Sequence, residues 1–286
     1  MPINETLSLQ SFGPEHIEGA LSLSRAANWP HRVEDWALIQ KLSRGVVVLD
    51  NDRVVATALT TPFGSVATLN MIIVDEAMRG QGLGRRVMNE VMRKAEPDEW
   101  RLIATAEGLP LYEKLGFKAV SDIVQHQGIV KSKSRGQQPD GDGAADLRIG
   151  SASDAAELAA LDQAASGMAR RVLVDALFQA GQVFVLEEQG KITAFAALRE
   201  FGRGKVVGPV VASSPEDAKR LLTHVLKRCE GQFLRVDTDT KTGLGPWLTE
   251  QGLAHAGGGT AMRLGKTTKI ASSGPQTYTL AAQALG

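Results

Sequence analysis

The sequence predicts an α/β protein made of two similar halves. Three observations support this fold class. Short apolar runs rich in β-branched residues alternate with stretches whose apolar residues recur every three or four positions, which is the pattern of strands alternating with helices. A glycine-rich turn joins one of these strands to one of these helices. Parts of the first half recur in the second half at a nearly constant offset, which indicates an internal repeat.

The glycine-rich turn predicts an anion site. Residues 67–74 form a short apolar run that is rich enough in β-branched residues to predict a buried strand. The apolar residues from Leu83 to Ala95 lie three and four apart and predict one buried helix face. Between the two segments, glycines alternate at positions 80, 82 and 84. Glycine lets backbone N–H groups close on a ligand, and a helix start adds unpaired donors and a positive dipole end.

The spacing of the glycines indicates which anion binds. A GxGxxG dinucleotide fingerprint would need glycine where Arg85 stands, and a P-loop would need lysine followed by serine or threonine where Arg85 and Arg86 stand. The spacing Arg79-x-x-Gly82-x-Gly84 instead resembles the segment of the GNAT acetyltransferases that holds the pyrophosphate of acetyl-coenzyme A.

A second stretch strengthens the resemblance. Residues 100–105 predict another buried strand, and residues 108–117 predict a short helix with Pro110 in its first turn and Gly116 just past its end. The string Leu-Tyr-Glu-Lys-Leu-Gly-Phe at 111–117 is similar to a second signature of the family. The resemblance implies an α/β (α+β) fold with two tandem GNAT-like domains, each a mixed, mostly antiparallel twisted sheet flanked by helices.

The resemblance also implies the cosubstrate and its contacts. Acetyl-CoA is expected, with the strand before the glycines splayed from its neighbour so that backbone groups bind the pantetheine arm and polarise the acetyl carbonyl. Many family members have an asparagine where this chain has Thr105, so that contact departs from the family pattern. The expected cofactor-binding residues are Ile72, Ile73, Val74, Arg79, Gly80, Gln81, Gly82, Leu83, Gly84, Arg85 and Thr105.

Tyr112 occupies the position of the family's general acid. A phenol with an ordinary pKa of about 10 is protonated at neutral pH and can give its proton to a thiolate of pKa about 8.5. The alternative is a tyrosine that only packs in its helix. We predict that Tyr112 is the catalytic acid.

The general base and the acceptor contacts are less sharply defined. Glu107, His31 and Asp35 are the candidates for the base, although each is also of a kind that occurs on ordinary loops and surfaces. Trp29 and Trp36 flank a Pro-His-Arg turn and predict either an aromatic wall beside the acceptor or a cover for the core. The expected acceptor-binding residues are Trp29, His31, Asp35 and Glu107.

Composition limits the classes of partner. Lysine plus arginine equals aspartate plus glutamate at 32 each among 286 residues, so no net basic charge favours nucleic acid or an anionic membrane. The N-terminus has no signal-peptide pattern and no apolar run approaches about 18 residues, which predicts a cytoplasmic protein, monomeric or homodimeric. The five histidines and the single Cys229 show no metal-ligand spacing, so no metal is expected.

The sequence divides into a catalytic domain at 1–130, a polar linker at 131–145 and a second domain at 146–286. The second domain is predicted to have lost its site, because at an offset of 136 or 137 the three glycines meet Asp217, Lys219 and Leu221, and Tyr112 meets Leu248. The linker precedes a strand at 146–149, and a helix is predicted from Ala218 to Cys229. The tail at 279–285 is predicted to add a helical turn or two.

The leading functional hypothesis is an acetyl-CoA-dependent N-acetyltransferase that acts on the primary amine of a small molecule by direct attack in a ternary complex. One alternative is a non-catalytic sensor or regulatory protein that binds acetyl-CoA or CoA. A second alternative is an enzyme that acetylates protein lysines or N-termini. A longer acyl-CoA donor would share every motif.

Overall fold

A computed structural model describes residues 7–131, 146–271 and 273–286. The predicted linker therefore lies, apart from Lys131, outside the described residues. In the first half the elements are β1 (Leu7–Ser11), α1 (Ile17–Ala26), α2 (Val33–Leu42), β2 (Arg44–Asp50), β3 (Arg53–Phe63), β4 (Val66–Val74), α3 (Leu83–Met92), β5 (Glu99–Ala104), α4 (Leu109–Lys114) and β6 (Lys118–Ile129).

The second half repeats this order and adds one strand. Its elements are β7 (Asp146–Ile149), α5 (Ala155–Ser166), α6 (Arg171–Ala180), β8 (Gly181–Glu188), β9 (Lys191–Phe201), β10 (Gly204–Ala212), α7 (Pro215–Arg228), β11 (Phe233–Asp239), α8 (Leu244–Glu250), β12 (Ala254–Gly265) and the additional β13 (Gln276–Thr279).

Two details differ from the sequence prediction. The helix predicted from Ala218 to Cys229 begins earlier, at Pro215, because Ser214 caps it with its side chain, and Cys229 follows its last residue. In the tail, Thr279 ends a strand that pairs with β10, and residues 283–285 form one turn instead of a helix, with Leu285 N and Gly286 N both donating to Ala282 O.

All thirteen strands among the described residues belong to one sheet. Every pair is antiparallel except β4 with β5 and β10 with β11, so the prediction of a mixed, mostly antiparallel sheet is confirmed. The two halves exchange their last long strands: β12 lies between β5 and β6, and β6 pairs with β11. The two predicted sheets are therefore continuous, since each half supplies a strand to the other.

Helices cover both faces of the sheet. On one face, the first two helices of each half, α1, α2, α5 and α6, share a single apolar core. On the other face, α3 packs on the first half and α7 on the second, in two separate cores. Trp36 is fully buried in the shared core, where its ring stacks on Phe12 and its indole N–H donates to Ser24 Oγ at 3.2 Å. Trp36 is a core residue, and the shared core joins the two halves.

In the part of the chain that the structure describes, no helix combines the length and the apolar character needed to cross a bilayer.

Candidate functional site

β4 and β5 separate after only three paired residues. Val66–Thr68 pair in parallel with Glu99–Arg101, and beyond that point neither strand pairs with the other. β4 also carries an irregularity here, because Met71 has a φ of +49° and the register with β3 shifts between Thr57 and Leu59. Thr57 Oγ1 donates to the Met71 carbonyl at 2.7 Å and holds this distortion. The edge of β4 that faces β5 therefore has backbone groups available to a ligand.

The glycines at 80 and 82 form an open cradle at the end of this gap. Their φ values are +76° and +78°, which non-glycine residues adopt only with strain. A Cβ atom added at either position would meet nothing within 4 Å. Gly84 has a different role, because a Cβ there would lie 3.3 Å from Leu111 Cδ2 on α4. The first two glycines set the shape of the loop, and the third allows the two helices to pack closely.

The start of α3 supplies hydrogen-bond donors. Gly82 is its N-cap, and the first intrahelical bond runs from Arg86 N to Gly82 O at 3.0 Å. The N–H groups of Leu83, Gly84 and Arg85 precede this bond and have no intrahelical acceptor. The first turn holds no acidic residue that would repel an anion. The cradle suits a phosphate group.

One cavity of about 800 Å³ runs from the cradle along the separated strands. It brings together most of the site residues predicted from the sequence, and its wall includes Trp29, Ile72, Ile73, Val74, Arg79, Gly80, Gly82, Leu83, Gly84, Arg85, Thr105, Glu107 and Tyr112. Three predicted residues, Gln81, His31 and Asp35, do not line it. Gln81 lies in the exposed part of the loop beside the cradle.

Tyr112 lies on α4 at the wall of this cavity. It is buried, and its ring packs edge-on against Phe117 at 6.2 Å between centroids. A Cβ at position 108 would lie 2.9 Å from Tyr112 Cε2, so Gly108 makes room for the ring. Burial raises the pKa of Tyr112 to about 12, because the phenolate would lose its hydration. The hydroxyl therefore keeps its proton throughout the physiological pH range.

Thr105 and Glu107 lie on the loop between β5 and α4. Thr105 Oγ1 accepts a hydrogen bond from Gly108 N at 3.2 Å, so the hydroxyl stabilises the turn before α4. Glu107 Oε2 lies 3.3 Å from Arg79 Nη1, and both side chains are exposed. Exposed ion pairs stabilise a fold by only about 0–1 kcal/mol, so this pair holds the two loops at the cavity together only weakly.

Asp35 lies in a buried contact between the two halves. It is the third residue of α2, and its carboxylate accepts hydrogen bonds from Arg32 N and Gly202 N, both at 2.9 Å. Arg199 Nη1 lies 3.8 Å away. This carboxylate caps α2 and binds the turn after β9.

His31 is enclosed by aromatic rings beside that contact. Its ring lies edge-on to Trp29 and Phe201 at 5.8 and 5.6 Å, and no described residue hydrogen-bonds to its buried Nδ1. Burial lowers the pKa of His31 to about 4, Asp35 opposes this shift, and two arginines add to it. His31 is uncharged at neutral pH.

This histidine makes the fold sensitive to acid. Between pH 6.5 and about 4 the unfolded chain binds a proton that His31 does not bind in the fold. The free energy of unfolding therefore falls as the pH falls through this window, by at most about 1.4 kcal/mol per pH unit for this group. Urea titrations at several pH values are expected to show a free energy of unfolding that depends less steeply on pH in His31→Phe than in the wild-type protein. An equal pH dependence in the two proteins would contradict this assignment.

The sequence analysis did not identify Asn70 as a site residue. Asn70 lies on β4, lines the cavity and is 5% exposed. Its amide nitrogen donates to Thr61 Oγ1 at 2.9 Å and to Thr68 Oγ1 at 3.2 Å, while its Oδ1 is buried with no partner among the described residues. An unpaired buried carbonyl oxygen is costly and suits a ligand N–H. In the sequence, the indication is an amide side chain, Asn70, between the apolar residues Leu69 and Met71.

The described part of the second half has no equivalent cradle. Only residues 213–214 connect β10 to α7, and Asp217, Lys219 and Leu221 lie within that helix. Ser214 Oγ accepts from Asp217 N at 3.1 Å and so occupies the helix start. Leu248, the counterpart of Tyr112, is fully buried.

The gap between β10 and β11 is also filled. These strands pair only over Lys205–Val206, and β13 pairs with β10 beyond that point. Gly208 allows this close approach, because a Cβ there would clash with the Leu280 carbonyl oxygen. The chain's own C-terminal segment therefore takes the place that remains open in the first half.

Comparisons with known proteins agree with this architecture. Two family models, each described as an acetyltransferase (GNAT) domain, match residues 9–133 and 158–274. The chain is therefore a tandem member of the GNAT acetyltransferase family.

Individual relatives support the same assignment. The chain is 27% identical over 250 residues to the uncharacterized N-acetyltransferase YitH of Bacillus subtilis (strain 168), covering 83% of this chain and 84% of that protein. It shares its fold with a putative acetyltransferase from Pyrococcus horikoshii, with a TM-score of 0.79, 18% identity and coverage of 100% and 98%. A tandem GNAT protein from the clavulanic acid biosynthesis pathway matches with a TM-score of 0.65, 13% identity and coverage of 91% and 99%.

Proposed function

We propose that this protein is an acetyl-CoA-dependent N-acetyltransferase that acts on the primary amine of a small molecule. The observation that carries the proposal is the cavity of about 800 Å³ in the first half, which joins the glycine cradle, the free edge of β4 and the Tyr112 hydroxyl. A pyrophosphate fits the open space at Gly80 and Gly82, and the N–H groups at the start of α3 are its donors. We place the pantetheine arm along Ile72–Val74.

The chain's residues have separate tasks in this reaction. Bound acetyl-CoA supplies the thioester. The free backbone edge of β4 orients the acyl group and stabilises negative charge on its carbonyl oxygen. Tyr112 keeps a proton available to the departing sulfur because its pKa is about 12. Complete transfer to a thiolate of pKa about 8.5 is uphill by about 3.5 pKa units, so the phenolate recovers a proton from water as the product forms. General acid catalysis of this kind contributes about 10²- to 10⁴-fold.

The amine loses its proton to water in this proposal. Glu76 and Glu107 are the carboxylates among the described lining residues, and no described histidine or aspartate belongs to the wall. Both glutamates lie on the loops near the cradle. The neutral amine then attacks directly within a complex that holds both substrates, so no acyl group is transferred to the protein.

A screen of amines with a free-thiol readout tests the proposed function. The purified protein is incubated with acetyl-CoA and a panel of small amines, lysine peptides and peptides with free N-termini. We expect thiol release above the hydrolysis background with a small amine. Release only with peptides would support a protein acetyltransferase. Tight CoA binding with no release from any acceptor would support a sensor and overturn the enzymatic proposal.

A matched donor series measures the acyl preference. Acetyl-CoA, propionyl-CoA and butyryl-CoA are compared with the best acceptor. A preference for acetyl-CoA is expected, because Tyr112 is a buried residue of the cavity wall and Phe117 packs against its ring. Faster turnover of butyryl-CoA would reassign the donor and leave the fold and the cradle unaffected.

A further inference from the structure

A second cavity, of about 290 Å³, lies at the junction of the two halves. The first half contributes Thr68 of β4 and Ile103 of β5 to its wall. The second half contributes Met168 after α5, Arg263 of β12 and Thr277 of β13. Its size is just below the range of about 300–1,000 Å³ typical of small-molecule sites. We call it the junction cavity.

The junction cavity adjoins the cavity proposed for acetyl-CoA. Ile103 lines both. Thr68 is the last residue of β4 that pairs with β5, so the junction cavity begins where the two strands separate. Asn70 lies two residues further along β4 and points to the same face as Thr68. Asn70 lines the larger cavity and its amide nitrogen donates to Thr68 Oγ1 of the junction cavity at 3.2 Å, so the side chain with the unpaired amide oxygen lies where the two cavities adjoin.

Four cations lie in the wall of the junction cavity. They are Arg101, Arg170, Lys241 and Arg263, and Asp239 is the carboxylate side chain beside them. Asp162 pairs with Arg170, which also donates to the Gly286 oxygen in the same wall. Glu99 pairs with both Arg101 and Arg263, so these two arginines share one carboxylate.

Among the three arginines of this wall, Arg263 makes the longest ion pair. Arg101 already donates to both oxygens of Glu99, at 3.0 and 3.1 Å. Arg263 Nη1 shares one of these oxygens at 3.2 Å, and among the described residues it has no other carboxylate partner. Burial and the nearby Arg101 lower the pKa of Arg263, whereas Glu99 and Asp239 raise it. A carboxylate in the junction cavity would give the Arg263 guanidinium a partner that it does not share with Arg101.

A polar group without a partner lies in the same wall. Thr277 Oγ1 is buried and has no hydrogen-bond partner among the described residues. A buried hydroxyl of this kind is costly unless a ligand or water satisfies it. Arg263 and Thr277 both come from the second half, which indicates that this half completes a site beside the reaction centre.

We infer that the junction cavity binds the acceptor of the proposed acyl transfer and selects a small amine that also carries a carboxylate. This rests on the proposed function. The carboxylate pairs with Arg263, and the amine N–H donates to Asn70 Oδ1. The amine nitrogen forms a bond to the acetyl carbonyl carbon as the carbon–sulfur bond breaks, the sulfur takes its proton from Tyr112, and the amine's surplus proton passes to water.

Binding to the CoA-saturated protein tests this without turnover. The common α-amino acids, β-alanine and 4-aminobutyrate are titrated by ligand-observed NMR, each beside its own carboxamide, which has nearly the same shape but no charge. At least one acid is expected to bind about tenfold or more tightly than its amide, which corresponds to about 1.4 kcal/mol. Absence of any preference for the acid would overturn the inference.

Three variants separate the role of Arg263 from general effects. Arg263→Gln is expected to abolish the preference for the acid, and Arg263→Lys to retain part of it. Arg203→Gln removes the same charge from an exposed turn and is expected to change nothing. A preference that persists in Arg263→Gln would also overturn the inference.

CoA affinity is measured first for every variant. If the wild-type protein binds CoA but shows no preference for the acid over its amide, only the acceptor site is rejected. If the wild-type protein does not bind CoA, the proposed function is rejected.

Discussion

Replacing Tyr112 with phenylalanine is expected to lower kcat by about 10²- to 10⁴-fold and to leave acetyl-CoA affinity within about twofold. The substitution removes only the hydroxyl that is proposed to protonate the departing thiolate. No described residue hydrogen-bonds to this hydroxyl, and the ring would keep its contact with Phe117. Steady-state kinetics by thiol release, with binding measured separately, give the two quantities.

The other tyrosine provides a matched control. Tyr278 is also buried, but it lies in β13 of the second half and packs in a different core. Tyr278→Phe is expected to keep kcat near the wild-type value. If Tyr112→Phe retained full activity, Tyr112 would be a packing residue and the proposed acid would have to be sought elsewhere.

Replacing Gly82 with alanine is expected to weaken CoA binding by about 10- to 100-fold. The new Cβ would enter the cradle, and the left-handed backbone at φ +78° would be strained. Loss of one charge-assisted hydrogen bond costs about 1.5–3 kcal/mol, which corresponds to this range of affinity. Isothermal titration calorimetry with CoA measures the effect.

A glycine far from the cradle separates strain from lost contacts. Gly231 has a similar φ of +74°, and a Cβ there would also meet nothing within 4 Å. Gly231→Ala is expected to lower the melting temperature about as much as Gly82→Ala does, while CoA affinity stays at the wild-type value. Equal loss of CoA affinity in both variants would mean that general destabilisation, not the cradle, explains the result.

Local signals were sufficient to predict the elements around the candidate site. The apolar run of β4, the spacing of Leu83, Val87 and Val91 in α3, and the turn residues around α4 each lie within a few positions of one another. Their order also matched two family motifs. These elements form because each is specified by neighbouring residues.

The pairing of strands that lie far apart in the chain could not be predicted from neighbouring residues. The exchange of β6 and β12 joins residues such as Met262 and Ala119 that are far apart in the chain, and either strand could have paired within its own half with the same alternation of side chains. The pairing of β13 with β10 is a long-range contact of the same kind. Its short polar run, Gln276–Thr279, becomes a strand only because the gap beside β10 is available.

The missed polar groups have a different explanation. Asn70 and Thr277 become notable only because their buried atoms have no partner in the described structure, and burial of one atom is not visible in a sequence. The junction cavity combines residues from both halves, so no single motif encodes it. Asp35, by contrast, looked like a candidate base because carboxylates near a cavity and carboxylates that cap helices have the same chemistry.

The central claim is that the first half binds one CoA molecule through the backbone around Gly82 and that the second half binds none. Calorimetric titration of the wild-type protein with acetyl-CoA and with CoA tests this most directly. The expected result is heat release from both ligands with a stoichiometry of one per chain, lost in large part in Gly82→Ala. Absence of binding heat from either ligand, or two equivalent sites per chain, would contradict the claim.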